Sequence, residues 1–174
     1  MNVLLHTCCA PCTTHCAEVL RKLGHAPVLF FSNANIAPQE EYLKRLDEVI
    51  RLAKMIDIDL HVDATDHACW LDLVAKGFEK QPERGLRCQR CFEYSLKRTY
   101  DHMLKLGFDA FTTTLTVSPH KNSEQISKIG KGISAATWLD INFKKQDGFK
   151  HSLQLSKEYN LYRQSWCGCE FSQR

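Results

Sequence analysis

Nine cysteines fall in a chain of 174 residues, and seven of them are bunched into three groups. Cys8, Cys9 and Cys12 stand in H-T-C-C-A-P-C at residues 6–12, Cys88 and Cys91 in C-Q-R-C, and Cys167 and Cys169 in C-G-C near the C-terminus. C-x-x-C spacing lets two thiolates reach one metal ion or one face of a cluster, and it occurs at Cys9/Cys12 and again at Cys88/Cys91. Two such pairs could meet on one zinc ion or one iron–sulfur cluster. Seven thiols exceed the four of a single zinc site, and soft thiolates in excess, with few histidine partners, favour iron. C-G-C could close a strained disulfide, because glycine permits an unusual backbone, or place two thiolates on a second metal. An odd count in bunches argues against a secreted disulfide framework; in a reducing compartment such cysteines are metal ligands or redox groups. Cys16, one turn beyond Cys12, and Cys69, before Trp70, read as packed core thiols.

These residues need a scaffold to bring them together. The length suits one domain with a single core, and 44% apolar with 25% charged residues is ordinary for a globule. No apolar run approaches the roughly 20 residues of a membrane helix. The N-terminus shows no signal-peptide pattern, so the expected location is cytoplasmic, with no membrane partner. A net charge of +3 permits an RNA partner without demanding one. A monomer is expected.

Residues 2–7 and the apolar 27–32, the alternating 58–63, the threonine-rich 109–116, and 137–143 read as strands. Between them lie helical patterns: from Pro11 to a cap at Gly24; after Pro38, with Leu43, Leu46, Ile50 and Ala53 on one face; a short one at 66–76; and 91–106, with Phe92, Leu96, Thr99 and Met103 on one face. Two more carry Ile126, Ile129 and Ile133, and span 151–159. Residues 79–90 read as a polar loop that delivers Cys88 and Cys91. Strands alternating with helices predict an α/β fold: a single-domain, Rossmann-like three-layer sandwich over 1–174, with a mostly parallel sheet of about five strands and a C-G-C tail. Sites in such folds form beyond the carboxyl ends of the strands, where Cys8, Cys9 and Cys12 would lie.

Substrate-contact candidates follow from the same placement. Ser118, Lys121 and Asn122 sit on a loop at a helix start, which favours anions. Arg163 and Gln164 precede the last cysteine pair; Arg84, Arg87 and Arg90 surround Cys88, and Lys144, Lys145 and Lys150 follow the fifth strand. A solvated basic surface accounts for any one of them equally well. Tyr162 and Trp166 could stack on an unpaired base or simply pack. His6, His120 and Asp140 lie near strand ends, and each reads as structural or positioning before it reads as a catalytic acid.

The chain resembles the cobalamin-independent epoxyqueuosine reductases, called QueH. The resemblance rests on L-H-T-C-C-A-P-C at 5–12, N-A-N-I at 33–36, E-E-Y-x-x-R at 40–45, E-R-G-x-R-C-x-x-C at 83–91, T-T-T-L-T-V-S-P-H-K-N at 112–122 and L-Y-R-Q-x-W-C-G-C at 161–169. Ala34, where the family often has proline, and Asn142, where an aspartate is common, depart from the pattern without touching a cysteine. The resemblance implies reductive deoxygenation of epoxyqueuosine to queuosine at the tRNA wobble position, with a 4Fe-4S cluster, an adjacent mononuclear iron and an unidentified electron donor. By motif, Cys9, Cys12, Cys88 and Cys91 look like the cluster set, and Cys8, Cys167 and Cys169 like ligands of the adjacent iron. An alternative allocation uses Cys8, Cys9, Cys88 and Cys91 for the cluster, with Cys167–Cys169 as a redox-active disulfide.

Two other readings compete. One is a zinc-stabilised RNA-binding module without catalysis. The other is an ATP-using tRNA thiolation enzyme on a similar fold, which needs a glycine-rich phosphate loop after the first strand; H-T-C-C-A-P-C has no glycine.

Overall fold

The computed structural model describes residues 1–64 and 66–172; Gln173 and Arg174, the end of the sequence-defined tail, lie outside them. Four parallel strands form one sheet in the order β3-β2-β1-β4: β1 (Asn2–His6), β2 (Ala26–Phe31), β3 (Leu60–Val62) and β4 (Ala110–Thr113). The strand pattern explains the layers. Side chains alternate across a strand, so Val3, Leu5, Leu29 and Phe31 pack on one face while Leu4, Phe30 and Phe111 pack on the other. The first face is covered by α1 (Ala10–Lys22) and α2 (Gln39–Met55), and α6 (Gly148–Glu158) packs against α1. The second is covered by α4 (Leu86–Leu106) and α5 (Ser123–Ser134), through Phe92, Leu96, Met103 and Ile126. This is the expected α/β sandwich.

The fifth strand expected at 137–143 does not form. Its sheet pairing is a single parallel bridge between Trp138 and Phe111. Its would-be partner ends at Thr113 and tightens into a 3₁₀ turn, Thr114–Val117, with Thr113 Oγ1 accepting from Leu115 N. Beyond Leu139 no ladder remains to join. The Thr116 hydroxyl meets the chain instead, donating to the Ile141 carbonyl and accepting from Phe143 N.

Helix boundaries bring two further corrections. The fourth helix starts at Leu86, with Gly85 at its cap, so Cys88 and Cys91 stand on its first turns and not on a loop. The buried face of α2 is Arg45, Val49, Leu52 and Ala53, whereas Leu43 is 46% exposed. A buried arginine at Arg45 rotates the inward stripe away from the one the apolar residues alone describe. The short pattern at 66–76 becomes α3 (His67–Trp70) running into a π-helical turn, Leu71–Ala75. No helix among the described residues is long and apolar enough to cross a membrane.

Candidate metal centre

The sheet changes direction between β1 and β4: the chain winds outward from β1 through β2 to β3, then returns to the other side of β1. Crevices form beyond the strand ends at such a point. Both loops that leave it are tied together there. Cys8 N donates to Thr114 Oγ1 at 3.1 Å, and the Thr114 hydroxyl donates to Cys8 Sγ at 3.3 Å. Cys9 is extended (φ −167°, ψ 160°) and caps α1, and Pro11 fits the first turn because its missing N–H has no partner to lose there. This strand-to-helix turn places the sulfurs of Cys8, Cys9 and Cys12 within 4.8 Å of one another.

Three thiols this close cannot titrate independently. Cys9 is pulled well below the ordinary thiol value by hydrogen bonds from Cys12 and Cys8, while Cys12's own hydrogen bonds to Cys8 and Cys9, and burial, push it well above that value. The triad therefore favours a thiolate ready for a metal ion, and its donor set suits a soft one. Lys121 faces it. Burial works against the Lys121 charge, but Cys167, Cys8, Cys12 and Cys9 outweigh burial and hold the ammonium protonated.

The triad lines a cavity of about 340 Å³ that also takes in Cys91, Cys167, Ser118, His120, Lys121, Arg163 and Gln164. A second cavity of about 390 Å³ is lined by Cys88, Cys91, Cys167 and Cys169, with Trp70, Asn122 and Lys121. Cys91, Cys167 and Lys121 line both, so the two cavities share a wall. Cys88 and Cys91 do not join the close triad. Burial pushes Cys91 up, and it pushes Cys169 up to about 11. Arg84 N donates to Cys88 Sγ at 3.2 Å. All nine cysteines are free thiols.

The other expected residues divide clearly. Cys16 is fully buried in the core, as read, but Cys69 is exposed on α3. Its neighbour Trp70 fills the inward position instead, at 1% exposure. Asn122 Oδ1 accepts from Glu124 N and Gln125 N and so caps α5. Arg87 is buried and donates to the carbonyls of Phe78, Glu79 and Gln81, fastening the loop before Cys88, and Arg90 donates to those of Leu73 and Val74 in the π-helical turn. Gln164 reaches Cys9 with a hydrogen bond, and its Oε1 is buried with no protein partner. Tyr162 and Trp166 pack against Lys44 and Arg45. Lys144 donates to the Lys121 carbonyl, while Lys145 and Lys150 are exposed.

His6 is structural. The Ser32 carbonyl can only accept, so Nε2 carries the proton, and Nδ1 accepts from the Thr113 hydroxyl at 2.8 Å. Burial keeps the ring neutral. Asp140 pairs with Lys131 and accepts from Trp138 Nε1. Of the three candidate acids, His120 alone lines both cavities.

Sequence reasoning assigned no role to Thr114, Asn33, Asn35 and Arg45. Thr114 ties Cys8 to the end of β4, and the other three line the first cavity. For Arg45 the sequence holds one signal, Glu41 one helical turn before it at ion-pair spacing.

The family model described as Epoxyqueuosine reductase QueH matches residues 3–174. Proteins named Epoxyqueuosine reductase QueH are similar along nearly the whole chain. The one from Acinetobacter baylyi is 38% identical over 179 residues, 99% of this chain and 81% of that protein. The one from Streptococcus pyogenes is 35% identical over 181 residues, 98% of this chain and 70% of that protein. The one from Thermotoga maritima is 34% identical over 178 residues, 98% of this chain and 90% of that protein. Among solved structures, a predicted subunit of tRNA methyltransferase from Methanocaldococcus jannaschii superposes with a TM-score of 0.60 at 18% identity, over 91% of this chain and 75% of that one. That likeness shows the fold.

Proposed function

The chain belongs to the epoxyqueuosine reductase QueH family, and from that premise we propose that it reductively deoxygenates epoxyqueuosine to queuosine at the wobble position of tRNA. In this reading residues 1–174 act as one catalytic domain, as a cytoplasmic monomer supplied by an external electron donor. The observation that carries the proposal is the close triad of Cys8, Cys9 and Cys12 at the sheet's switch point, in one cavity with Cys91 and Cys167.

The donor set fits a 4Fe-4S cluster with an adjacent mononuclear iron. The triad's grouping supports Cys8, Cys9 and Cys12 acting together on one centre, over an allocation that separates Cys8 from Cys9. Cys91 and Cys167, which face both cavities, and Cys88 and Cys169, which line the second, remain for completing that centre and for the adjacent one. When bound, these centres supply two electrons and a Lewis-acid contact for the departing oxygen.

The chain's own residues do the rest. Lys121 Nζ holds a proton beside the thiols and donates a hydrogen bond where negative charge develops. Ser118, His120 and Arg163 line the same cavity and bind and orient the polar nucleoside. The unpartnered Gln164 Oε1 accepts a hydrogen bond from a substrate hydroxyl. Phe92, Leu115, Phe149 and Leu153 form apolar wall that excludes water and strengthens each of these contacts.

Anaerobic purification with iron, sulfide and zinc analysis, followed by incubation with epoxyqueuosine-bearing tRNA and a chemical reductant, tests the reading. About five irons per chain with acid-labile sulfide, and a nucleoside lighter by one oxygen, support it. Stoichiometric zinc without sulfide supports the zinc-stabilised RNA-binding module instead.

A further inference from the structure

Arg45 is 2% exposed and sits on the inward face of α2 beside Val49 and Leu52. A guanidinium does not lose its charge, so its donors must be met. They are met by Glu41 and by the tail that carries C-G-C. Nε donates to Glu41 Oε1 at 2.6 Å, Nη1 to the Cys167 carbonyl at 2.9 Å and Nη2 to the Trp166 carbonyl at 3.2 Å. One planar fork thus spans two consecutive peptide carbonyls, which a lysine ammonium cannot do while also holding Glu41. The acid is itself held: the Tyr162 hydroxyl donates to both Glu41 oxygens, at 3.2 and 3.1 Å, and Tyr162 N donates to Glu48.

Gly168 completes the arrangement. Its φ of +110° lies where side chains are strained, and a Cβ there would come within 2.9 Å of Ile36 and 3.0 Å of Arg45 Nη1. Its carbonyl accepts from Ala37 N at 3.0 Å. The turn is therefore pressed onto α2 and the segment before it by close approach and charged hydrogen bonds. No β-ladder holds it. Arg45, Trp166 and Cys167 line the cavity of the triad together.

We propose that Arg45, braced by Glu41 and Tyr162, is a positioning residue that seats the C-G-C turn so that Cys167 faces the Cys8–Cys9–Cys12 triad. The proposal gives E-E-Y-x-x-R and the tyrosine of L-Y-R-Q a shared task. It rests on the reading of Cys167 as part of the site, and the test separates the two.

The test measures alkylation of each cysteine by iodoacetamide, read by mass spectrometry on the full chain as purified anaerobically. Exposed Cys69 serves as internal reference. Alkylation of a protected thiol tracks local opening. Arg45→Lys should speed Cys167 and Cys169 by about tenfold or more relative to Cys69, leave Cys9 and Cys16 protected, and lower kcat with KM for tRNA unchanged. Gly168→Ala, which keeps Arg45, should reproduce the Cys167 effect if the lysine variant fails to fold. The proposal is overturned if Cys167 reacts within about twofold of wild type in either variant, or if Arg45→Lys exposes Cys9 and Cys16 in the same proportion. Zinc in the purified wild type would sink the reductase reading and leave the alkylation result standing as a test of the clamp.

Discussion

Two sets of thiols meet at this site, and they are built by different means. Cys8, Cys9 and Cys12 come from one strand end and the helix that follows it. Their placement is local: β1 sits at the centre of the sheet, and the turn into α1 does the rest. Cys88, Cys91, Cys167 and Cys169 come from α4 and the tail, far apart in sequence and outside the sheet. The chain around them is fastened by arginines that bind main-chain carbonyls. Arg87 and Arg90 fasten the chain beside α4, Arg45 grips the C-G-C turn, and Arg51 holds the carbonyls of Tyr159 and Asn160 at the start of the tail. Irregular chain lacks a ladder to satisfy its carbonyls, and guanidinium groups, buried at Arg45 and Arg87 and partly exposed at Arg51 and Arg90, take the ladder's place. The difference teaches that the first set is placed by one local turn at the sheet, whereas the second depends on the packing of α4 against the sheet and, at the tail, on polar contacts that single substitutions can release.

The contrast can be broken most decisively at the cysteines. Cys9→Ala should lower activity by at least a hundredfold and strip most of the metal, whereas Cys88→Ala should lower activity by about tenfold. Equal losses, measured by metal content and turnover of modified tRNA, would erase the distinction.

The backing of the first set is tested at Gly148, on the helix that packs against α1. A Cβ there would lie 1.9 Å from the Phe143 carbonyl and 2.5 Å from His15 Nε2. Gly148→Ala should destabilise the protein by about 3 kcal/mol in urea unfolding.

The tether of α4 is tested at Asp63, which pairs with Arg98 and accepts from the Ser32 hydroxyl. Burial raises the Asp63 carboxyl, but Arg98 and Ser32 outweigh it and hold the group below its ordinary value. A depressed carboxylate stabilises above its unfolded pKa, and that stabilisation is lost as pH falls through the lower folded value. Asp63→Asn should therefore destabilise by about 2 kcal/mol at pH 7, and the gap to wild type should narrow once pH falls below about 4. Urea midpoints at pH 7 and pH 3 decide it; a gap constant with pH would mean that the pair is inert.

Asn122→Ala should cost about 1 kcal/mol, the loss of a helix cap, with KM for tRNA unchanged. A KM raised tenfold would return Asn122 to the substrate-binding set. The smallest effect is expected at Cys69→Ser: stability within about 0.5 kcal/mol of wild type and metal content unchanged, because the side chain is exposed and lines neither cavity.

Much of this was legible in the residues alone. The unbroken apolar runs Val3-Leu4-Leu5 and Leu29-Phe30-Phe31 encode a sheet buried on both faces, and the 3.6-residue period of Phe92, Leu96, Thr99 and Met103 encodes the helix that covers it. H-T-C-C-A-P-C at a strand end foretells thiols at the crevice, because strand and helix sterics act over a few residues and need no distant partner. Other features were not legible. Trp138 and its neighbours have the residues of a strand, but a strand requires a partner, and β4 stops at Thr113. Cys69 has the neighbours of a core residue, but Trp70 fills the inward position.

Sequence by itself determined the α/β order, the strand-end position of the first thiols and the family. Only the tertiary structure decided that Cys8 groups with Cys9 and Cys12, that Cys91 and Cys167 share the wall between two cavities, and that Arg45 faces inward to hold the tail. The physical reason is range. Backbone sterics and hydrophobic periodicity are local and survive in a one-dimensional reading, whereas the positions of distant sulfurs depend on packing and on buried charges whose partners lie more than a hundred residues away.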